Sequence, residues 1–410
     1  METLIKDLED YIKIASVIGE EEEGCPYGAE ISKALDYMLK KGADYGFQVK
    51  NLDNQVGLIE YGQGEEALGI LVHCDVVPAG NGWTYDPFEL TSIEGKLYGR
   101  GVVDNKGPAL ACLHAMKALK DSGVTPKRKV QMIIGTDEET LWRGIERFVK
   151  HEKMPRLGFT PDANFPLIHA EKGILDIDLT YPSRHIAFKN NIILKSIKAG
   201  MSRNSVSDRC EIEFITDKIG SAIIEKAVAG YFAQLPLTSE CHSEVNTCKL
   251  IIGGKSAHAM TPEKGQNAIT HAMALLSTLS EEPKGIIKHF DKLVGTDLYG
   301  EGIGCKMSDD ISGPLTLNVG QCRYDGTELK FHLNVRYPVS LSPETVCDQF
   351  KEAFEQSLFT YKQVDHLKPL YVPKDNPIVT SLMGVYQRHT GDIASKPMVI
   401  GGGTYARVLE

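Results

Sequence analysis

Two short and nearly uninterrupted apolar runs, Ala67-Leu-Gly-Ile-Leu-Val72 and Val130-Gln-Met-Ile-Ile134, constrain this chain more than any other feature. A half-exposed strand alternates apolar and polar residues, whereas a run without alternation is what a strand buried on both faces requires. Between the runs, Pro108 to Ser122 carries Leu110, Leu113, Met116 and Leu119, with proline in the first turn and Gly123 just past the end. That pattern predicts a helix. A second helix is expected from about Leu141 to Lys150, followed by a short strand over Leu157-Gly-Phe-Thr160. Strand, helix, strand, helix, strand describes a parallel α/β unit.

The character changes near Thr180. Ile192-Ile-Leu194 and Cys210-Glu-Ile-Glu-Phe-Ile215 read as strands, and Gly220 to Phe232 as a helix. Leu315-Thr-Leu-Asn-Val319 and Leu329 to Tyr337 alternate with period two, predicting half-exposed antiparallel strands. Asn376 to His389 reads as a helix and Pro397-Met-Val-Ile400 as a strand feeding Gly401-Gly-Gly-Thr404. The expected fold class is α/β with two domains. A catalytic α/β domain with a mostly parallel central sheet, residues 1–178 and 369–410, is interrupted by an α+β lid domain, residues 179–368.

Composition narrows the partners. A net charge of −10 argues against a nucleic-acid partner, which demands clustered Lys and Arg. The nine cysteines include no Cys-x-x-Cys pair and read as free thiols rather than a disulfide framework. The first residues alternate apolar and acidic side chains at helical spacing, unlike a signal peptide, and no apolar run approaches a membrane span. The expectation is a cytoplasmic protein without a membrane partner.

Polar residues with metal-binding chemistry fall where the buried strands end. His73-Cys-Asp75 follows the first run, Asp137-Glu138-Glu139 the second, and Pro161-Asp162 the third strand, while Asp104 sits just ahead of the first helix. Ligands in open α/β sheets bind beyond the carboxyl ends of the strands, so these segments can share one cleft. One imidazole with several carboxylates suits zinc or manganese. Residues two apart in a strand point the same way, so Asp75 can hydrogen-bond the His73 imidazole. In an extended chain Glu138 and Glu139 point oppositely, which suits one binding metal and the other accepting a proton from water. Asp104, with two oxygens and flanking glycines, can bridge two cations or simply cap the helix. Farther on, His258 lies among small residues in Gly254-Lys-Ser-Ala-His-Ala-Met260, and Arg336 in Asn334-Val-Arg-Tyr-Pro338 could clamp a carboxylate.

These motifs, His73-Cys-Asp-Val-Val-Pro-Ala-Gly80, Asp104-Asn-Lys-Gly107, Gly135-Thr-Asp-Glu-Glu139, Pro161-Asp162 and Gly401-Gly-Gly-Thr-Tyr-Ala-Arg407, resemble the M20 metallopeptidases. Within that family the chain looks like the PepV-like bacterial dipeptidases, also called Xaa-His or carnosinase-type. The resemblance implies that His73 and Asp162 hold one zinc, Glu139 part of a second, and Asp104 both. It implies that Asp75 orients His73, that Glu138 is the general base, and that His258 and Asn204 stabilise the oxyanion. Arg336 would hold the terminal carboxylate of a dipeptide, with Gly403 and Thr404 nearby. It further implies two zinc ions per chain, with manganese or cobalt as alternatives, and a large lid that lets the enzyme work as a monomer. In the family a histidine well downstream of the Gly-Gly-Gly-Thr turn completes the second metal site. These 410 residues hold none there, so residues 369–410 are expected to be a truncated second part of the catalytic domain. Asp104 and Glu139 would then fall short of the three protein ligands usual for catalytic zinc, unless His169 or His389 substituted. The expected function is hydrolysis of dipeptides by metal-activated water. The alternatives are an N-acyl amino acid amidohydrolase of the same family, or a catalytically impaired peptide-binding remnant.

Overall fold

A computed structural model describes residues 2–140, 142–280 and 285–409. The chain divides into two compact units, residues 1–167 with 404–410, and residues 168–403.

Unit 1 contains helices α1 (Glu2–Ile12), α2 (Ala29–Asp44), α3 (Lys106–Asp121) and α4 (Arg143–His151). Its strands are β1 (Gln48–Leu52), β2 (Val56–Tyr61), β3 (Ala67–His73), β4 (Thr91–Ile93), β5 (Lys96–Tyr98), β6 (Lys129–Gly135) and β7 (Leu157–Phe159). The central sheet has the order β1-β2-β6-β3-β7. β3 pairs in parallel with both β6 and β7, and the β1–β2 hairpin adds antiparallel pairings at the β6 edge. Only β2 therefore runs against the other four strands.

The apolar runs lack alternation because both faces of the sheet are covered. Ile70, Val72, Met132 and Ile134 join α1, α2 and α3 in one core. Leu71 and Ile133 point the other way, into a core with Ile145 and Phe148 of α4 and with Tyr405. Helix α3 begins two residues before the predicted start, leaving Pro108 in the first turn, where its missing N–H costs nothing. Leu110, Leu113 and Met116 are buried, but Leu119 is 41% exposed, against expectation. Steps of three drift around a 3.6-residue helix, and nine residues make about two and a half turns, so Leu119 lies opposite Leu110. Leu141, the predicted start of the next helix, lies outside the described residues; α4 runs from Arg143.

Unit 2 is built on a nine-stranded sheet whose pairings are antiparallel. Helices Lys218–Phe232, Ala268–Leu279, Ile286–Leu293 and Pro343–Glu355 pack their apolar side chains into its core. A three-stranded sheet joins Leu370–Tyr371, Ile168–Glu171 and Met398–Ile400. The strands Thr316–Tyr324 and Glu328–Tyr337 pair as expected and alternate at one end, where Gln321, Arg323, Glu328, Lys330 and His332 are partly or fully exposed, but their other ends are buried on both faces. Their polar residues Asn318, Asn334 and Arg336 are buried too, because hydrogen bonds within the unit replace water. Among the described residues no helix is long and apolar enough to cross a membrane.

Candidate metal centre

The carboxyl ends of β3, β6 and β7 lie side by side, because three parallel strands finish at the same edge. His73, the last residue of β3, is 1% exposed. Its Nε2 lies 3.0 Å from Asp104 Oδ1 and 3.5 Å from Asp162 Oδ2. Its Nδ1 lies 3.0 Å from the carbonyl oxygen of Asp75 and 3.3 Å from that residue's Oδ1. The other Asp75 oxygen accepts the Glu139 backbone N–H at 3.0 Å, tying the β3 and β6 ends together. Among the described residues, two sets of donor atoms, each within 4.8 Å of one another, emerge: His73 with Glu138 and Asp162, and His73 with Asp104 and Glu139. Adjacent in sequence, Glu138 and Glu139 thus serve different sets. Asp104 is not a helix cap; Asn105 holds the cap position of α3 and Asp104 turns to His73.

The electrostatics are those of crowded carboxylates around one imidazole. Burial opposes a charge on His73, but hydrogen bonds to Asp104, Asp162 and Asp75 outweigh it and hold its pKa well above the usual range. Burial, with neighbouring negative charge, pushes Glu138 well above the ordinary carboxylate range and Glu139 up to about 7. The hydrogen bond from His73 draws Asp104 below it. A carboxylate-rich donor set of one buried nitrogen and several oxygens, with Asp104 exposed at its edge, fits divalent cations, whose charge would relieve the repulsion.

In unit 2 Asn204, His258 and Arg336 gather around one loop system. Ser205 and His258 form a β-bridge, and Ala259 N–H donates to the Asn204 carbonyl at 2.9 Å. The Met260 N–H donates to His258 Nδ1 at 3.0 Å, so in the neutral ring the proton sits on Nε2. Burial and the Arg336 charge hold the His258 pKa below its usual value, which favours that neutral form. Arg336 Nη1 donates to the Gly401 carbonyl at 3.0 Å. Gly401 allows a close approach: a Cβ there would lie 2.6 Å from Met260 Cβ. Gly403 closes unit 2 in sequence, and Thr404, opening the last stretch of unit 1, accepts the Ala406 N–H on its hydroxyl at 3.2 Å. Of the histidines considered as substitute ligands, His389 lies in the exposed last turn of helix Pro377–Thr390, and His169 bonds the Val372 carbonyl at 2.7 Å through Nδ1. Neither belongs to a donor set found among the described residues.

Residues 69–410 match the model of peptidase family M20/M25/M40. The chain belongs to this family. Similar proteins include “Putative dipeptidase YtjP” of Bacillus subtilis (strain 168), 38% identical over an alignment covering 100% of this chain and 88% of the relative. The similarly named SAR1836 of Staphylococcus aureus (strain MRSA252) is 36% identical, covering 99% and 88%. Among solved structures, the M20 family metallo-carboxypeptidase Sso-CP2 from Sulfolobus solfataricus superposes with a TM-score of 0.58 at 17% identity, over 100% of this chain and 90% of that one. Human carnosine dipeptidase 1 gives 0.52 at 16% identity, over 98% and 85%. These two likenesses establish the shared two-domain fold.

Three residues that support the candidate donors stand outside the sequence-based expectation. Asn105, wholly buried, accepts the His73 N–H at 3.4 Å and donates to the Pro161 carbonyl and to Asp162 Oδ1, both at 3.0 Å. One amide thus joins the segments that carry His73, Asp104 and Asp162. Lys106, also buried, donates to the Tyr11 and Ile14 carbonyls at the end of α1, at 3.2 and 2.5 Å. Tyr405 lies edge-on to His73 and Trp142, and Trp142 Nε1 holds the Glu138 carbonyl at 2.7 Å. Asp137 is used up structurally: its carboxylate takes the Arg143 and Gly144 N–H groups at the start of α4. The only signal for Asn105, Lys106 and Tyr405 was their place inside the quoted motifs.

Proposed function

We propose that this protein is a metal-dependent dipeptidase. The observation that carries the reading is the buried His73 imidazole with Asp104 and Asp162 at Nε2, flanked by Glu138 and Glu139, in a chain of this peptidase family. Its relatives' dipeptidase names support the substrate class. His73 and Asp162 would hold one divalent cation and Glu139 part of a second, with Asp104 common to both; zinc is the first candidate, manganese or cobalt the alternatives. Bound there, such cations would polarise the scissile carbonyl and make water acidic.

The chain's own groups do the rest. Glu138, in the other donor set from Glu139, takes the proton of the attacking water and delivers it to the leaving amine. A carboxylate whose pKa is raised by burial holds a proton more readily than a solvated one. Asp75 keeps the His73 ring oriented from its Nδ1 side. His258, neutral with its proton on Nε2, donates to the oxygen that becomes anionic, and Asn204 assists it. Arg336, with Gly403 and Thr404, binds the terminal carboxylate. In this reading the catalytic domain spans residues 1–178 and 369–410 and the lid 179–368, although residues 168–178 and 369–403 belong by their packing to unit 2, and the enzyme is monomeric and cytoplasmic.

The test is turnover of free dipeptides against N-acyl amino acids, with zinc or manganese added and then chelated. Metal-dependent release of both amino acids from dipeptides supports the reading. Preferential deacylation of N-acyl amino acids would assign the chain to the amidohydrolase alternative.

A further inference from the structure

Arg336 is a strand residue only 4% exposed, and its guanidinium is anchored on two corners. Its Nε donates to Asn334 Oδ1 at 2.7 Å, and its Nη1 to the Gly401 carbonyl at 3.0 Å. Asn334, 1% exposed, lies two residues before Arg336 and so projects from the same face of the strand Glu328–Tyr337. Directly opposite Asn334 in the register stands Asp176, on the strand Gly173–Pro182, and Asn334 Nδ2 donates to Asp176 Oδ1 at 2.6 Å.

An asparagine amide can present either its oxygen or its nitrogen to a neighbour. A carboxylate, which only accepts, settles the choice. Asp176 draws the Asn334 NH2 to itself and thereby turns Oδ1 toward Arg336. At Nε the guanidinium therefore meets the amide oxygen of Asn334, and its orientation is set there. Polar groups buried on a sheet cost stability unless each is bonded, and an apolar set would pack there at lower cost. Such a chain of bonds is explained by what it orients.

We propose that Asn334 and Asp176 are positioning residues, a cross-strand relay that fixes the plane in which Arg336 meets the terminal carboxylate of a substrate. This rests on the reading of Arg336 as the carboxylate-binding group.

The experiment compares alanyl-alanine with its C-terminal amide, which lacks the carboxylate, using the metal-loaded 410-residue chain. KM and kcat are measured for the dipeptide, and the amide is followed by turnover or as a competitive inhibitor of dipeptide hydrolysis. The variants are Asn334→Ala, the near-isosteric Asp176→Asn, and Arg336→Met, each checked by thermal melting. Asn334→Ala is expected to raise KM for the dipeptide roughly 10- to 100-fold, the worth of a hydrogen bond to a charged group. Its kcat should change less than its KM, and its handling of the amide should stay as in the parent. Asp176→Asn should move KM in the same direction, more weakly, and it decides the matter if Asn334→Ala does not fold. Equal loss toward dipeptide and amide, or no change toward either, overturns the relay. If Arg336→Met discriminates between the two ligands while the relay variants do not, only the relay fails. If Arg336→Met treats both alike, the carboxylate reading of Arg336 fails and takes the relay with it. A parent enzyme that hydrolyses no dipeptide refutes the dipeptidase reading itself.

Discussion

Replacing Gly135 by alanine should destabilise unit 1 through one identifiable collision. Gly135 is the last residue of β6, and a Cβ built on it would lie 2.3 Å from Tyr405 Oη, 2.4 Å from Cε2 and 2.6 Å from Cζ. Ordinary carbon contacts are about 3.5–4.0 Å, so the ring would have to retreat by roughly an ångström. It has little room. Tyr405 is 1% exposed, with the Trp142 ring centroid 5.2 Å away and Leu71, Ile133 and Phe148 in the same core. Overpacking of this kind costs about 1–3 kcal/mol. Against it stands the smaller entropy of the unfolded alanine chain, about 0.4–1 kcal/mol in favour of the variant. A net loss of about 1–2 kcal/mol follows from these two terms. The collision partner is removable. Tyr405→Ala alone should cost about 3–5 kcal/mol by loss of a buried ring, but Gly135→Ala added to it should be neutral or slightly stabilising. Urea unfolding followed by tryptophan fluorescence reads the right part of the molecule, since both tryptophans, Trp83 and Trp142, belong to unit 1. The same loss in both backgrounds, or none in the parent, would refute the packing argument. Because β6 leads directly into Asp137, Glu138 and Glu139, the single variant should also hydrolyse dipeptides more slowly.

Glu138→Gln should lower kcat by about 10²- to 10⁴-fold with bound metal unchanged, and an unchanged rate would remove Glu138 from the proton-transfer role. Asp104→Ala should reduce the metal content measured by elemental analysis; full retention would show that Asp104 binds neither ion. Chelation should abolish dipeptide hydrolysis, and added zinc or manganese should restore it. Asp7 is buried among Lys41, Tyr45 and His114, whose hydrogen bonds hold its carboxyl below the ordinary range against the opposing effect of burial. Its contribution is therefore complete above the unfolded carboxylate value near 3.9 and is lost as pH falls through the lower folded value. Asp7→Asn should cost about 1–3 kcal/mol at pH 7. Parent and variant urea midpoints should converge in stronger acid, and a gap that widened there would contradict the sign.

The strands and the candidate ligands were legible for one shared reason. Both faces of β3 and β6 are covered, so their sequences are continuously apolar, and the polarity that follows is conspicuous. His73, Asp104, Glu138, Glu139 and Asp162 stand out against that background. Burial on the unit 2 strands was misjudged because alternation records polarity alone. Asn334 and Arg336 look like solvent-facing residues until their partners Asp176 and Gly401 are known. Leu119 was misplaced because threefold spacing ignores the drift of a 3.6-residue helix.

By itself, the order of residues determined the parallel α/β core, the helices that cover it, and the set of side chains able to bind metal, because periodicity and residue chemistry are local properties. Only the tertiary structure decided which carboxylate faces which nitrogen of His73, that Asn105, at the start of α3, ties the end of β3 to the Pro161-Asp162 segment, and that Tyr405 occupies the space Gly135 leaves open. Those facts depend on register and packing between segments 30 to several hundred residues apart, and nothing in the neighbourhood of each residue encodes them.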